Sequence, residues 1–287
     1  MKIESITENF GAVVTDIALN ALSEPDFRTI EQAWFRYAVL VFPHQHLSNE
    51  DHFAFTRRFG RLEKGLPGIN TKMRPNIGNT DNEGKVLPRE HIGRVFNIGN
   101  SLWHSDSSYK RVGAKASLLA AHEVPTEGGE TEWADMRAGY DALSDDMKRF
   151  LSDKIAVHSY AFSHSWHYGL RVMPEEGLRQ LPPVEHPIIK VHPDSKRHVL
   201  FVGRHASHII GEDFESSRKL LRELTFEAAQ PPRTFGHRWD VGDIVIWDNR
   251  CVLHRARASP PDQARKMVRS TVAGDAPDNE WAVVEAA

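Results

Sequence analysis

The sequence predicts a mainly β fold, a sandwich or jelly roll, with helices packed outside it. Three observations point there. Short β-like runs dominate from Phe96 onward, few segments show helical spacing, and no linker divides the chain. No period of roughly 20–50 residues repeats, which argues against solenoids and propellers. The chain is therefore read as one domain, 1–287, long enough to bury a sizeable core.

The elements follow in order. Gly11 to Ile17 is β-rich. Ser23-Glu24-Pro25-Asp26 is a capped helix start, and Phe27, Ile30 and Trp34 continue on one helical face. Ala38 to Phe42 is a short apolar run of the buried-strand type. Ser48-Asn49-Glu50-Asp51 opens a second helix through Phe53, Phe55 and Phe59, which Gly60 ends. From Gly68 to Arg94 the chain turns polar, with scattered Gly, Pro and Asn. Such a stretch reads either as a mobile lid at about 68–94 or as a tolerated surface insertion. Strand-like runs then cover Ser117 to Ala121, Val199 to Val202, Ile244 to Trp247 and Lys266 to Ala273. Helices are expected from Met136 to Leu151 and from Phe214 to Ala228.

Composition narrows the function. With 36 Lys+Arg against 39 Asp+Glu the net charge is -3, so no basic field invites nucleic acid. The single cysteine excludes an internal disulfide, Cys-based zinc sites and iron–sulfur clusters. The start lacks the basic-then-apolar run of a signal peptide, and nowhere do about 18 apolar residues run together. The expected protein has no membrane partner and a cytoplasmic address. Sixteen histidines beside one thiol mean that a transition metal would be held by imidazole and carboxylate.

The first candidate site is Trp103-His104-Ser105-Asp106. In a strand, residues i and i+2 share a face, about 6–7 Å apart at Cα, so His104 and Asp106 can aim at one point. A second imidazole would complete a 2-His-1-carboxylate facial triad, typical of non-haem Fe(II) oxygenases. Among sixteen histidines a His-x-Asp pair also arises by chance. Trp247 to His254 runs from one β-like stretch through an Asp-Asn turn into another and ends on a histidine. Beyond it stand Arg265 and Arg269, which in a strand share a face with Met267 and Thr271. Two guanidiniums there either each receive a carboxylate or lie on a solvated face. His205 and His208, at odd spacing, are read as structural or substrate-adjacent, His164 and His167 as packing or rim residues, and Cys251 as a small buried hydrophobe.

Taken together, these motifs resemble the taurine/2,4-dichlorophenoxyacetate dioxygenase (TauD/TfdA) family of Fe(II)- and 2-oxoglutarate-dependent oxygenases. The likeness runs through Gly11 to Ile17, LVFPHQHLSNEDHFAFTRRFG at 40–60, Trp103 to Tyr109 and VPTEGGETEWADMRAGYDAL at 124–143. It continues through Val202 to His208, Trp247 to Arg255, and Arg265 with Arg269. Within the family it is similar to the aryloxyalkanoate (2,4-D and phenoxypropionate) dioxygenases. The resemblance implies a double-stranded β-helix (jelly roll) and metal ligands at His104, Asp106 and His254. It places Arg265 and Thr131 on the distal carboxylate of 2-oxoglutarate and Arg269 on the anionic head of the substrate. Asn100 and Ser108 are expected in the pocket, Asn100 on the co-substrate side and Ser108 on the substrate side. Lys85 is either a steering charge for an anionic substrate or a solvated lysine.

The implied reaction uses Fe(II), O2 and 2-oxoglutarate, with ascorbate expected as a stimulant, and hydroxylates a small anionic organic substrate. With an aryloxyalkanoate, hydroxylation beside the ether oxygen is followed by collapse to a phenol and a 2-oxo acid. Asp106 argues against halogenation, which in this superfamily requires an open position in place of the carboxylate. The same chemistry on a sulfonate, sulfate ester or N-substituted amino acid is the alternative. A zinc hydrolase would use the same triad but leaves Thr131, Arg265 and Arg269 without a task, and a non-catalytic binding module would not need the triad. A homo-oligomer, dimer or larger, is expected.

Overall fold

The computed structural model describes residues 1–65, 76–81, 83–91, 94, 98–168 and 175–275. The first strands are β1 (Lys2–Ser5), β2 (Ala12–Thr15), β3 (Val39–Phe42), β4 (Asn76–Gly78) and β5 (Ala116–Glu123). Next come β6 (Thr131–Asp135), β7 (Ile155–His158), β8 (Val184–Pro187), β9 (Ile189–Val191) and β10 (His198–Leu200). The last are β11 (Ala206–Ile209), β12 (Thr234–His237), β13 (Ile244–Asp248), β14 (Val252–Ala256) and β15 (Lys266–Val272). A seven-stranded sheet runs β1-β2-β3-β13-β5-β15-β4, and smaller sheets are formed by β12-β6-β14, β11-β7-β8 and β10-β9. Among the described residues, only β2 and β3 pair in parallel.

Both faces of the large sheet are covered, so its central strands are apolar on successive residues instead of alternating. Outward, Leu40, Phe42, Leu118, Ile244 and Ile246 pack against Phe27, Ile30 and Trp34 of α1 (Glu24–Tyr37) and Phe55 of α2 (Asn49–Arg57). Inward, Val39, Val41, Leu119, Val245, Trp247 and Met267 meet Trp133, Val199, Val252 and Leu253 from the smaller sheets. Each such side chain, taken fully out of water, contributes about 1.5–3 kcal/mol. The chain is thus mainly β with flanking helices. No helix among the described residues is long and apolar enough to cross a membrane.

Local chemistry sets the helix starts. Ser23 and Ser48 accept from the backbone N–H of Asp26 and Asp51, satisfying donors that the first turn leaves open. The single helix expected from Met136 to Leu151 is two, α3 (Met136–Asp141) and α4 (Asp145–Leu151). Ser144 breaks it by capping Met147 N at 3.2 Å, a competing bond that the apolar spacing conceals. Two helices were not expected, α5 (Tyr160–Tyr168) and α6 (Glu175–Arg179), while α7 (Phe214–Ala228) has the expected bounds.

The 68–94 stretch is not loop throughout. Asn76–Gly78 is an edge strand paired with β15, and Thr80 bridges Val86. Residues 68–75, 82, 92 and 93 of that expected lid lie outside the described residues.

Candidate metal centre and its surroundings

His104 and His254 meet as a hydrogen-bonded antiparallel pair. His104 N donates to His254 O at 3.1 Å, and His254 N donates to His104 O at 2.8 Å. His254 rides on β14, which is separated from the end of β13 by only three residues, so a tight turn carries the chain from one sheet to another. Asp106 is not on a strand beside His104, as the i, i+2 reading assumed. It stands at the start of a turn in which Ser107 takes φ 58°. The convergence comes from that turn and from Asn249, whose Oδ1 accepts Asp106 N at 3.2 Å.

The ligand atoms of His104, Asp106 and His254 lie within 4.8 Å of one another, and all three residues are buried. His104 Nε2 is 3.8 Å from Asp106 Oδ1, and His254 Nε2 is 3.7 Å from Asp106 Oδ2. These gaps are too long for hydrogen bonds and suit donors that face a shared ion. His104 Nδ1 lies 2.7 Å from Leu102 O, so that nitrogen carries the proton and Nε2 keeps its lone pair. Burial, then the neighbouring His254, pushes the His104 pKa well below its ordinary value, and burial lowers His254 to about 4. Both rings are neutral at pH 7, as ligation requires. Burial alone would raise the Asp106 pKa. The Arg269 charge, the two histidines and a hydrogen bond from Ser117 outweigh it and hold the carboxyl well below the usual range.

A second cluster, His192, Asp248 and Cys251, has similar spacing but different chemistry. His192 Nε2 lies 3.0 Å from Asp248 Oδ2, and its Nδ1 accepts from the backbone of Asp194 and Ser195. Asp248 also takes a two-pronged contact from Arg250, and burial pushes the Cys251 thiol pKa well up. Its imidazole and carboxylate are already engaged, so this cluster braces the turn instead of awaiting an ion. We expect one tightly bound metal per chain in the wild type and in Cys251→Ala alike, by elemental analysis; a halved content in the variant would assign a second site here.

The other expected site residues separate clearly. Arg265 precedes β15 and is 9% exposed. Its Nε donates to Gly129 O at 3.3 Å, and it has no carboxylate partner among the described residues. Burial alone lowers its pKa to about 10, the mark of a cation kept from water. The Gly128-Gly129 turn lets the backbone approach this closely: at Gly129, with φ +73°, a Cβ would stand 3.3 Å from Arg265 Nε. Thr131, at the start of β6, is buried, and its Oγ1 accepts from Trp239 Nε1 at 3.0 Å, leaving the hydroxyl hydrogen for another partner.

Arg269 shares the inward face with Met267, and its side chain is 36% exposed. Its NH1 reaches Asp106 Oδ1 at 3.2 Å, so this cation already leans on the cluster. Ser108 is buried, with its carbonyl accepting from His186 Nε2 at 2.9 Å. Asn100 is half-buried on a short 3-10 helix, Ile98–Ser101, beside β14. Lys85 is exposed on a turn where its N–H donates to Asp81 Oδ1, so its side chain is not part of the buried cluster.

His205 and His208 diverge. The His205 ring lies 6.4 Å from that of His104 and bonds Ser163, while the His208 ring lies against Phe214. His164 is buried with Nε2 3.1 Å from Arg204, and the side chain of His167 lies outside the described residues. Sequence reasoning passed over Ser117, Asn249, Glu63 and Lys110. Glu63 receives Ser107 Oγ at 3.0 Å and a short contact from Lys110, which anchors the turn after Asp106. No local spacing announces these residues: Glu63 and Asn249 come from distant parts of the chain, and Lys110 and Ser117, though nearer, matter only through the partners those bring.

Residues 2–271 match the family model described as taurine catabolism dioxygenase TauD, TfdA family. An (S)-phenoxypropionate/alpha-ketoglutarate-dioxygenase of Sphingobium herbicidovorans is 39% identical over 98% of this chain and 97% of its own. An alpha-ketoglutarate-dependent 2,4-dichlorophenoxyacetate dioxygenase of Cupriavidus pinatubonensis is 42% identical over 93% of this chain and 96% of its own. The crystal structure of AAD-2 in complex with Mn(II) and N-oxalylglycine superposes with TM-score 0.88 at 37% identity, covering 96% of this chain and 98% of that one. The chain belongs to the TauD, TfdA dioxygenase family.

Proposed function

We propose that the protein is an Fe(II)- and 2-oxoglutarate-dependent dioxygenase acting on an aryloxyalkanoate of the phenoxyacetate or phenoxypropionate type. One observation carries the reading: the fold buries both a His104-Asp106-His254 cluster and Arg265, a cation with no carboxylate partner among the described residues. Relatives that act on phenoxypropionate and 2,4-dichlorophenoxyacetate support the substrate class. On this reading the packed sheets are the two layers of a double-stranded β-helix.

His104, Asp106 and His254 hold the iron, which when bound supplies the oxidative decarboxylation of 2-oxoglutarate by O2 and the oxidation of a substrate C–H bond. Arg265 takes the far carboxylate of 2-oxoglutarate, and the Thr131 hydroxyl donates to it because Trp239 already fills its acceptor side. Arg269 takes the acid group of the substrate, so the carbon beside the ether oxygen is held toward the metal. Hydroxylation there gives a hemiacetal, or a hemiketal from a propionate, that collapses to the phenol and a 2-oxo acid.

The test is a substrate panel followed by succinate release. Phenoxyacetate and both phenoxypropionate enantiomers should drive succinate formation with matching phenol. A sulfonate or alkyl sulfate turned over faster would move the substrate class, and full activity after chelation would reject the enzyme class.

A further inference from the structure

Asn249 is the centre of a closed hydrogen-bonded ring around Asp106. Its Oδ1 accepts from Asp106 N at 3.2 Å and from Trp247 Nε1 at 3.1 Å. Two N–H donors on one atom identify that atom as the amide oxygen, so Nδ2 must be the atom that donates to Ser117 Oγ at 2.9 Å. With that contact accepted, the single hydroxyl hydrogen of Ser117 goes to Asp106 Oδ2 at 2.7 Å. Ser105 Oγ closes the web by donating to Asn249 O at 2.7 Å. Asn249 is 2% exposed and Ser117 0%, so no water competes for these bonds.

Resting on the function proposed above, we propose that Ser117 and Asn249 are positioning residues that hold Asp106 to one-oxygen ligation. A carboxylate that chelates with both oxygens takes a second coordination position. The reaction needs three free positions, two for 2-oxoglutarate and one for O2. A hydrogen bond from Ser117 to Oδ2 engages that oxygen and fixes the plane of the carboxylate, while Asn249 fixes the backbone beneath it. The oxygen left for the ion is Oδ1, whose protein partner is Arg269, the residue assigned to the substrate anion.

The experiment titrates 2-oxoglutarate into anaerobic, Fe(II)-saturated protein and reads the absorbance change on chelation, with metal content measured in the same samples. Ser117→Ala should still load one iron but bind 2-oxoglutarate about ten- to a hundredfold more weakly. Ser117→Cys, a weaker donor, should fall between the two. Asn249→Asp, which keeps the shape but loses the Nδ2 donor, makes the same test should Ser117→Ala fail to fold. A merely structural role would lower Tm and leave 2-oxoglutarate affinity of the loaded protein unchanged. Affinity within twofold of wild type in a folded, iron-loaded variant would overturn the proposal. A wild-type protein that shows no 2-oxoglutarate-dependent absorbance would instead overturn the functional reading, and this one with it.

Discussion

Replacing His254 with alanine is expected to abolish both Fe(II) retention and succinate formation, with His104→Ala and Asp106→Ala doing the same. Each removes one of three buried donors that converge within 4.8 Å, and two donors do not hold a divalent ion at micromolar concentrations of metal. Metal analysis after gel filtration and a succinate assay check this. Normal turnover in any of the three would reject the triad. The pH behaviour follows from the same groups. Burial lowers His254 to about 4, so in the metal-free protein it stays neutral while the unfolded chain has already taken up its proton. Its contribution to stability is therefore fully present above the ordinary imidazole value of about 6.5 and is lost as pH falls through the folded value. A Tm measured against pH on metal-free protein should decline over that window, and the decline should shrink in His254→Ala.

The second large effect separates two arginines that stand only four residues apart. Arg265→Ala should raise the KM for 2-oxoglutarate by roughly thirty- to a thousandfold, the equivalent of about 2–4 kcal/mol for a desolvated charge pair, with little change for the primary substrate. Arg269→Ala should do the reverse. The structure supplies the reason for the asymmetry: Arg265 is enclosed beside Gly129 with no carboxylate partner among the described residues, whereas Arg269 is part-exposed and already bonded to Asp106. Because a lone buried cation is unfavourable, Arg265→Ala should leave the Tm of the ligand-free protein nearly unchanged. Initial-rate kinetics in both co-substrates decide the matter. Equal effects of the two variants on both constants would refute the division of labour.

Much of this architecture is legible in the chain because local signals and burial agree. Ser23 and Ser48 announce helices that begin where their side chains cap, and Ile244 to Trp247 is apolar on successive residues because both faces of β13 are covered. The His104–His254 pair is legible only in part. The residue types signal a metal, but their meeting depends on a backbone bridge between positions 150 residues apart, which no window of sequence contains. Ser117 and Asn249 are invisible because a serine in an apolar strand and an asparagine in a turn each have ordinary local explanations. The split at Ser144 is the opposite case, where a local capping bond starts a second helix inside a longer run of apolar spacing that conceals it.

The turn between β13 and β14 joins the seven-stranded sheet to a smaller one, and His254 sits just beyond it while Arg269 extends from the large sheet. The cluster therefore belongs to neither layer alone. It exists only once the two layers have docked, so an ion held there binds the native state and has no preformed counterpart in a half-assembled chain. By mass action such an ion draws the folding equilibrium toward the docked state in proportion to the logarithm of its concentration over its dissociation constant. The same position ties the site to assembly: a chain whose layers have not closed does not bring His104, Asp106 and His254 together.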